Sequence, residues 1–119
     1  MRFVTEEDSP AEGNYEPSAV SVGNQSSTNI LSQSFSPGTY VFVGTAQFAT
    51  SAVGRRNLWF INGGNYETAE VVAVDGDPTK VQITGIRKFT STTTLTLRVW
   101  QNSGSTLSVQ GALKWVRVH

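Results

Sequence analysis

Residues 54–64 read GRRNLWFINGG, and this stretch decides the fold class. Four apolar residues run without interruption from Leu58 to Ile61, and an Asn-Gly-Gly sequence follows them. Asn and Gly tolerate the positive φ angles of tight hairpins, so the strand is predicted to fold back antiparallel. An apolar run of this length is typical of a strand covered on both faces. The preceding Arg55 and Arg56 are either an anion site or the solvated start of this strand.

The alternation of the run divides its side chains between two faces. We expect Leu58 and Phe60 to face the core, whereas Trp59 and Ile61 face away from it. Trp100, further along the chain, is likewise out of phase with its apolar neighbour Val99. Packing within the fold and contact with a partner remain alternative interpretations for such aromatic residues.

Similar short segments follow one another along most of the chain. They are rich in β-branched and aromatic residues and are separated by Gly, Asn, Ser and Pro, whereas apolar residues at helical spacing are missing. The predicted strands cover residues 29–35, 39–49, 55–62, 66–74, 79–89, 93–101 and 106–118. Strands at this spacing predict an all-β antiparallel sandwich or jelly roll.

Two predicted strands carry further information. In residues 39–49, Gly44 interrupts a core-facing apolar set, which indicates that another backbone or a large side chain comes close. The last strand carries apolar residues in both phases, with Leu107, Val109, Leu113 and Trp115 in one phase and Ala112, Val116 and Val118 in the other, which indicates either burial on both faces or a bulge.

The composition excludes several classes of protein. The 119 residues include no cysteine and carry a formal net charge of zero. Thiolate catalysis, zinc–cysteine sites and disulfide frameworks are therefore excluded. The apolar runs are too short for a membrane helix, and the acidic N-terminus is not typical of a secretory signal. We expect a protein that stays inside the producing cell or is released by lysis.

No residue set predicts catalysis, a cofactor or a metal site. The single histidine, His119, is the last residue, where a catalytic triad is not expected. Asp75 and Asp77 offer few of the oxygens that calcium requires, so a plain turn is the favoured interpretation. We therefore expect a protein that is not an enzyme, with no cofactor.

Basic residues also do not predict nucleic-acid binding. Their excess in the body is small and no recognition module accompanies them. Solvation and salt bridges are the favoured roles, and the candidates are Arg55, Arg56, Arg87, Lys88 and Arg98.

The N-terminus differs in composition from the body. Residues 1–17 carry Arg2 as their one basic residue against five acidic ones. We expect residues 1–25 to form a flexible, extended, acidic arm before a body of residues 26–119. The arm residues predicted to contact a partner are Phe3, Val4, Glu6, Glu7, Asp8 and Tyr15.

Five motifs in this order resemble the tumour-necrosis-factor-like jelly roll of complement globular heads and many bacteriophage fibre, knob and capsid-surface proteins. They are PGTYVF (37–42), GRRNL (54–58), ING (61–63), VWQNSG (99–104) and LKWVRV (113–118). The resemblance covers residues 26–119 and implies a trimer with both termini at its base and no catalysis. No collagen-like or heptad repeat precedes the body, so the expectation is a short anchored knob.

The resulting hypothesis is a bacteriophage structural protein on the virion surface, assembled in the host cytoplasm. It would be a homotrimeric capsid decoration or head-fibre protein that binds a capsid or tail protein through its arm, with no nucleic-acid or membrane partner. The candidate trimer interface comprises Trp59, Ile61, Trp100, Arg55 and Arg56. The alternative is a tail-fibre tip that binds a host receptor or glycan through distal loops containing Ser51, Asp75, Asp77, Asn102 and Ser103.

Overall fold

The computed structural model describes residues 12–51, 53–61, 68–72 and 78–118. Within these ranges the chain forms β-strands and connecting turns. The strands are β1 (Glu12–Tyr15), β2 (Val20–Val22), β3 (Thr28–Phe35), β4 (Gly38–Phe48), β5 (Arg55–Ile61), β6 (Thr68–Val72), β7 (Thr79–Phe89), β8 (Thr93–Gln101) and β9 (Leu107–Arg117). The described residues contain no helix that is long and apolar enough to cross a bilayer.

The strands form two antiparallel sheets packed as a sandwich, which confirms the predicted fold class. One sheet has the order β1-β9-β4-β7, with β2 also paired to β9, and the other has the order β3-β8-β5-β6. This order is jelly-roll-like, because successive strands lie in opposite sheets from β2 to β5 and again from β6 to β9, so that these connections cross the ends of the sandwich. β1 and β2 pair with consecutive parts of β9 and together form one sheet edge. Pro17 interrupts this edge, as proline does in strands.

The core lies between the two sheets and is centred on aromatic rings. The ring of Phe35 makes edge-to-face contacts with Tyr40, Phe42 and Trp115, at centroid distances of 5.1, 5.0 and 5.0 Å. Such pairs stabilise a core beyond the area that they bury. Leu58 and Phe60 are buried as predicted, and they contribute to the same cluster.

The N-terminal boundary of the body differs from the sequence-based expectation. Residues 12–15 and 20–22 are strands, and Val22 is fully buried in the core. The sandwich therefore includes residues 12–15 and 20–22, and residues 12–25 do not form a free arm. The pairing partner is β9, about a hundred residues away, so no local pattern identifies these two short strands.

The last strand is regular. From Leu107 to Leu113 the odd-numbered positions are buried, whereas the even-numbered positions are exposed or half-buried, and no bulge interrupts this alternation. The last strand therefore has neither the bulge nor the burial on both faces that its sequence left as alternatives.

Gly44 lies where two core side chains approach the backbone, as predicted. A Cβ atom at Gly44 would lie 2.8 Å from Cδ2 of Leu97 and 2.9 Å from Cε1 of Phe60. We expect Gly44→Ala to lower the free energy of unfolding by about 1–3 kcal/mol, because the core must shift to admit the methyl group. Chemical denaturation measures this change.

The matched control is Gly23→Ala. A Cβ atom at Gly23 would meet Ser26 Oγ at 3.5 Å, an ordinary contact. Its effect should stay within about 0.5 kcal/mol. Equal losses for the two variants would contradict the packing account.

The two ends of the sandwich differ. Glu12 pairs with Val116, so the first and last described residues lie together at one end, here called the base. The connections 23–27, 49–54 and 102–106 lie at the opposite end, here called the loop end, because Arg56 pairs with Gln101 there. The short connections 36–37 and 90–92 lie at the base, because Gly38 pairs with Phe89 there.

Candidate interaction surfaces

The two adjacent arginines have different environments. The side chain of Arg55 is 62% exposed and lies 3.7 Å from a carboxylate oxygen of Glu70. The side chain of Arg56 is fully buried, contrary to the expectation that both arginines lie at the rim of an interface. Arg56 has the same strand parity as Leu58 and Phe60, and this parity could have identified its inward orientation.

Arg56 is held by main-chain carbonyl groups rather than by an anion. Its Nη1 donates to the carbonyl oxygens of Val53 at 2.9 Å and Arg55 at 3.2 Å, and its Nη2 donates to that of Ser51 at 3.2 Å. The guanidinium carbon lies 5.7 Å from the ring centroid of Phe48. Desolvation by burial lowers the pKa of Arg56 from its ordinary value. The group ties the 49–54 loop to the core and is not available as an anion site.

Gln101 has a similar role beside Arg56. It is fully buried, and its Nε2 donates to the carbonyl oxygens of Val22 at 3.0 Å and Ser105 at 2.7 Å. Its Oε1 accepts a hydrogen bond from the backbone N–H of Ser103 at 2.7 Å. Arg56 and Gln101 thus form a polar cap over the core, which fixes the loops at this end.

The predicted distal loops come together in part. Asn102 Oδ1 accepts a hydrogen bond from the backbone N–H of Arg55 at 2.6 Å, so the loops containing Ser51 and Asn102 meet at the loop end. Ser103 lies in the same region. Asp75 and Asp77 lie outside the described residues. No group of three potential metal ligands occurs in the described ranges.

The outward surface of the β3-β8-β5-β6 sheet carries the predicted tryptophans. Trp59 and Trp100 are half-buried on this surface, where Trp59 is paired with Arg98 and Trp100 with Asn57. We call these four residues the aromatic face. Ile61 lies further along the same surface, paired with Thr96. The sequence-based interface residues other than Arg56 therefore share one sheet surface.

The outward surface of the other sheet carries an apolar row that was not predicted. Val41 pairs with Ile86 on one side and with Val116 on the other, and these three residues are called the apolar row. Ile86 is 64% exposed and Val116 is 47% exposed. An adjacent open groove of about 590 Å³ is lined by Val41, Val116, Val43 and Lys114, among others. Contiguous exposed apolar side chains of this kind mark contact surfaces.

The two edges beside the apolar row carry opposite charges. Glu12 and Glu16 lie at the β1 edge, whereas Lys80 and Lys88 project outward from β7 at the other edge. All four side chains are exposed. Lys114 of β9 is exposed on the same surface, and it lines one cleft together with Glu16 and Lys80.

A sequence signal for the apolar row exists. Residues 40–43 read YVFV, a four-residue apolar run like LWFI at 58–61. Tyr40 and Phe42 are buried, so the alternating Val41 and Val43 must face outward. The continuous apolar run in β4 predicts a covered outer face by the same reasoning that was applied to β5.

The predicted arm residues fall largely outside the described part of the chain. Phe3, Val4, Glu6, Glu7 and Asp8 precede residue 12. Tyr15 is described, and it is 39% exposed at the end of β1. Their predicted contact with a virion protein stays a prediction.

No family model and no curated protein sequence matches this chain. Solved structures resemble it in fold. The VP2 subviral particle of infectious bursal disease virus matches with a TM-score of 0.57 and 16% identity, over 92% of this chain and 34% of VP2. The T13 particle of the same virus matches with a TM-score of 0.58 and 16% identity, over 92% of this chain and 32% of the viral chain. This chain therefore spans about a third of the viral chains it matches.

Two other matches have lengths close to that of this chain. A Bacillus endospore appendage protein, described as a disulfide-linked pilus, gives a TM-score of 0.53 at 9% identity, covering 92% of this chain and 90% of that one. TmCBM61, solved with β-1,4-galactotriose, gives a TM-score of 0.51 at 17% identity, and the match covers 93% of this chain and 85% of TmCBM61. At these identities the comparisons establish a jelly-roll-like β-sandwich that is distantly similar to viral capsid domains.

Proposed function

We propose that this chain is a non-enzymatic structural protein of a bacteriophage virion. It forms a homotrimeric knob that is anchored at its base and decorates the capsid or forms a short head fibre. The exposed apolar row on the β1-β9-β4-β7 sheet is the observation that carries this proposal. The likeness in fold to viral capsid domains is consistent with it.

A three-fold ring explains the charge pattern of the β1-β9-β4-β7 sheet. In a cyclic trimer each protomer meets its neighbour through two different margins of its surface. When the three apolar rows face the axis, the acidic β1 edge of one protomer lies beside the basic β7 edge of the next. Burial of Val41, Ile86 and Val116 then supplies the hydrophobic contribution to assembly.

This arrangement uses a different surface from the predicted interface at Trp59, Ile61 and Trp100. In the single protomer these residues are half-buried, whereas Ile86 and Val116 are exposed. The apolar side chains with the larger exposed fractions thus lie on the β1-β9-β4-β7 sheet, and a partner that covers them removes apolar surface from water.

The base is the proposed anchoring end. Residue 12 enters the sandwich beside Val116 at this end, and residues 1–11 precede it in the sequence. They contain Phe3 and Val4 next to three acidic residues, a pattern suited to an apolar contact flanked by basic groups on a capsid or tail protein.

Deletion of residues 1–11 tests the anchoring role. Because β1 begins at Glu12, the shortened chain should keep the sandwich and its oligomeric mass. We expect the full chain to co-sediment with virions of the phage that encodes it and the shortened chain to remain in the supernatant. Equal virion occupancy of the two chains would refute the anchoring role.

A further inference from the structure

We propose that the aromatic face binds a neutral oligosaccharide. The four residues of this face place two tryptophan rings in a diagonal arrangement with two planar hydrogen-bonding side chains. This inference goes beyond the structural role proposed above and does not depend on it.

The strand register creates the arrangement. On the β5–β8 pair, Asn57 is opposite Trp100 and Trp59 is opposite Arg98. Directly opposite residues lie about 5 Å apart and diagonal ones about 7–8 Å apart, so the two rings are neighbours across the diagonal. Each ring therefore has a planar polar group directly beside it.

The planar polar groups are held by their neighbours. Arg98 Nε donates to Asn29 Oδ1 at 2.8 Å, and Asn57 Nδ2 donates to Glu70 Oε2 at 3.0 Å. Glu70 is fixed in turn by Arg55. Side chains restrained in this way lose less conformational entropy when a ligand binds.

Both polar groups retain unused hydrogen-bonding capacity. Asn57 Oδ1 is buried and lacks a hydrogen-bond partner among the described residues. A buried acceptor without a hydrogen bond lowers the stability of the fold unless a donor reaches it. The bond from Arg98 uses Nε, and its two terminal nitrogens have no partner in the described ranges. Arg98 therefore offers donors beside the rings, whereas the unpaired acceptor of Asn57 is buried.

A sugar ring matches this combination better than other ligand classes. It presents apolar C–H groups on one side, which pack on an aromatic ring, and hydroxyl groups at its rim, which both donate and accept hydrogen bonds. A nucleic acid would require a larger positive charge than Arg55 and Arg98 beside Glu70 provide. A protein partner would favour the more apolar surface on the opposite sheet.

The sugar site and the proposed self-association surface can coexist. The aromatic face lies on the β3-β8-β5-β6 sheet and the apolar row lies on the other sheet. In a ring with the apolar rows at the axis, the aromatic faces point outward from all three protomers. Each knob would then present three sugar sites.

Titration calorimetry with β-linked neutral oligosaccharides, including β-1,4-galactotriose, tests the site on the full chain. We expect at least one oligosaccharide to bind, and we expect Trp100→Ala to weaken that binding at least tenfold. Ser34→Ala, an exposed change on the neighbouring strand β3, is the matched control and should leave the affinity unchanged.

A second variant tests the site in case Trp100→Ala does not fold. Arg98→Met keeps the side-chain stem but removes the donors, and it should weaken binding by a similar factor while circular dichroism and oligomeric mass stay unchanged. The proposal is overturned if no oligosaccharide of the panel binds. It is also overturned if binding survives both variants, or if only RNA or peptide probes bind this face. None of these outcomes bears on the virion role.

Discussion

Arg56→Ala is expected to lower the free energy of unfolding by about 3 kcal/mol, the largest stability change predicted for a single side chain outside the aromatic core. The change removes the donor from the carbonyl groups of Ser51, Val53 and Arg55 and leaves a cavity beside Phe48. Equilibrium denaturation in urea measures the loss. Because arginine stays charged throughout the usual pH range, the loss should be the same at pH 5 and pH 9.

The adjacent residue provides the control. Arg55 is mostly exposed and pairs with Glu70 at the surface, so Arg55→Ala should change stability by no more than about 0.5 kcal/mol. Similar effects of the two substitutions would show that Arg56 is not the buried support of the 49–54 loop.

Val116→Lys is expected to convert the proposed trimer into monomers. In the proposed ring this change places three lysines near the axis, where they are desolvated and repel one another. Val116 is 47% exposed within one protomer, so the monomer should stay folded. Analytical ultracentrifugation measures the mass, and circular dichroism verifies the fold.

Thr96→Lys distinguishes the two candidate interfaces. It adds the same charge to the outward surface that carries Ile61 and the tryptophans, and it should leave the trimer intact. Dissociation by Thr96→Lys but not by Val116→Lys would support the interface predicted from the sequence. An exchange of charges, Glu12→Lys with Lys88→Glu, should restore an assembly that either change alone weakens, because in the proposed ring these two edges face each other between protomers.

Local patterns were sufficient to predict most strands. The strands at 79–89 and 93–101 agree with β7 and β8, because alternation and bounding turns are local properties. The same alternation placed Leu58 and Phe60 in the core and Trp59 on the outside. Strands β1 and β2 are only four and three residues long, and their stability depends on pairing with β9. Such non-local pairing leaves little signal in the sequence.

The site predictions failed where residue type was given more weight than position. Arg56 was assigned to the surface because arginine is charged, although its parity matches Leu58. Its burial depends on carbonyl groups of a loop, which no sequence pattern reveals. The apolar row was missed because only the core-facing side chains of residues 39–49 were considered, whereas the other face of that strand also carries apolar residues such as Val41.

The mass of the full chain in solution tests the central claim most directly. Light scattering coupled to size-exclusion chromatography should give three times the 12.9 kDa of one chain, at protein concentrations in the micromolar range. A mass of a single chain over that range would contradict the trimeric knob and the role assigned to the apolar row.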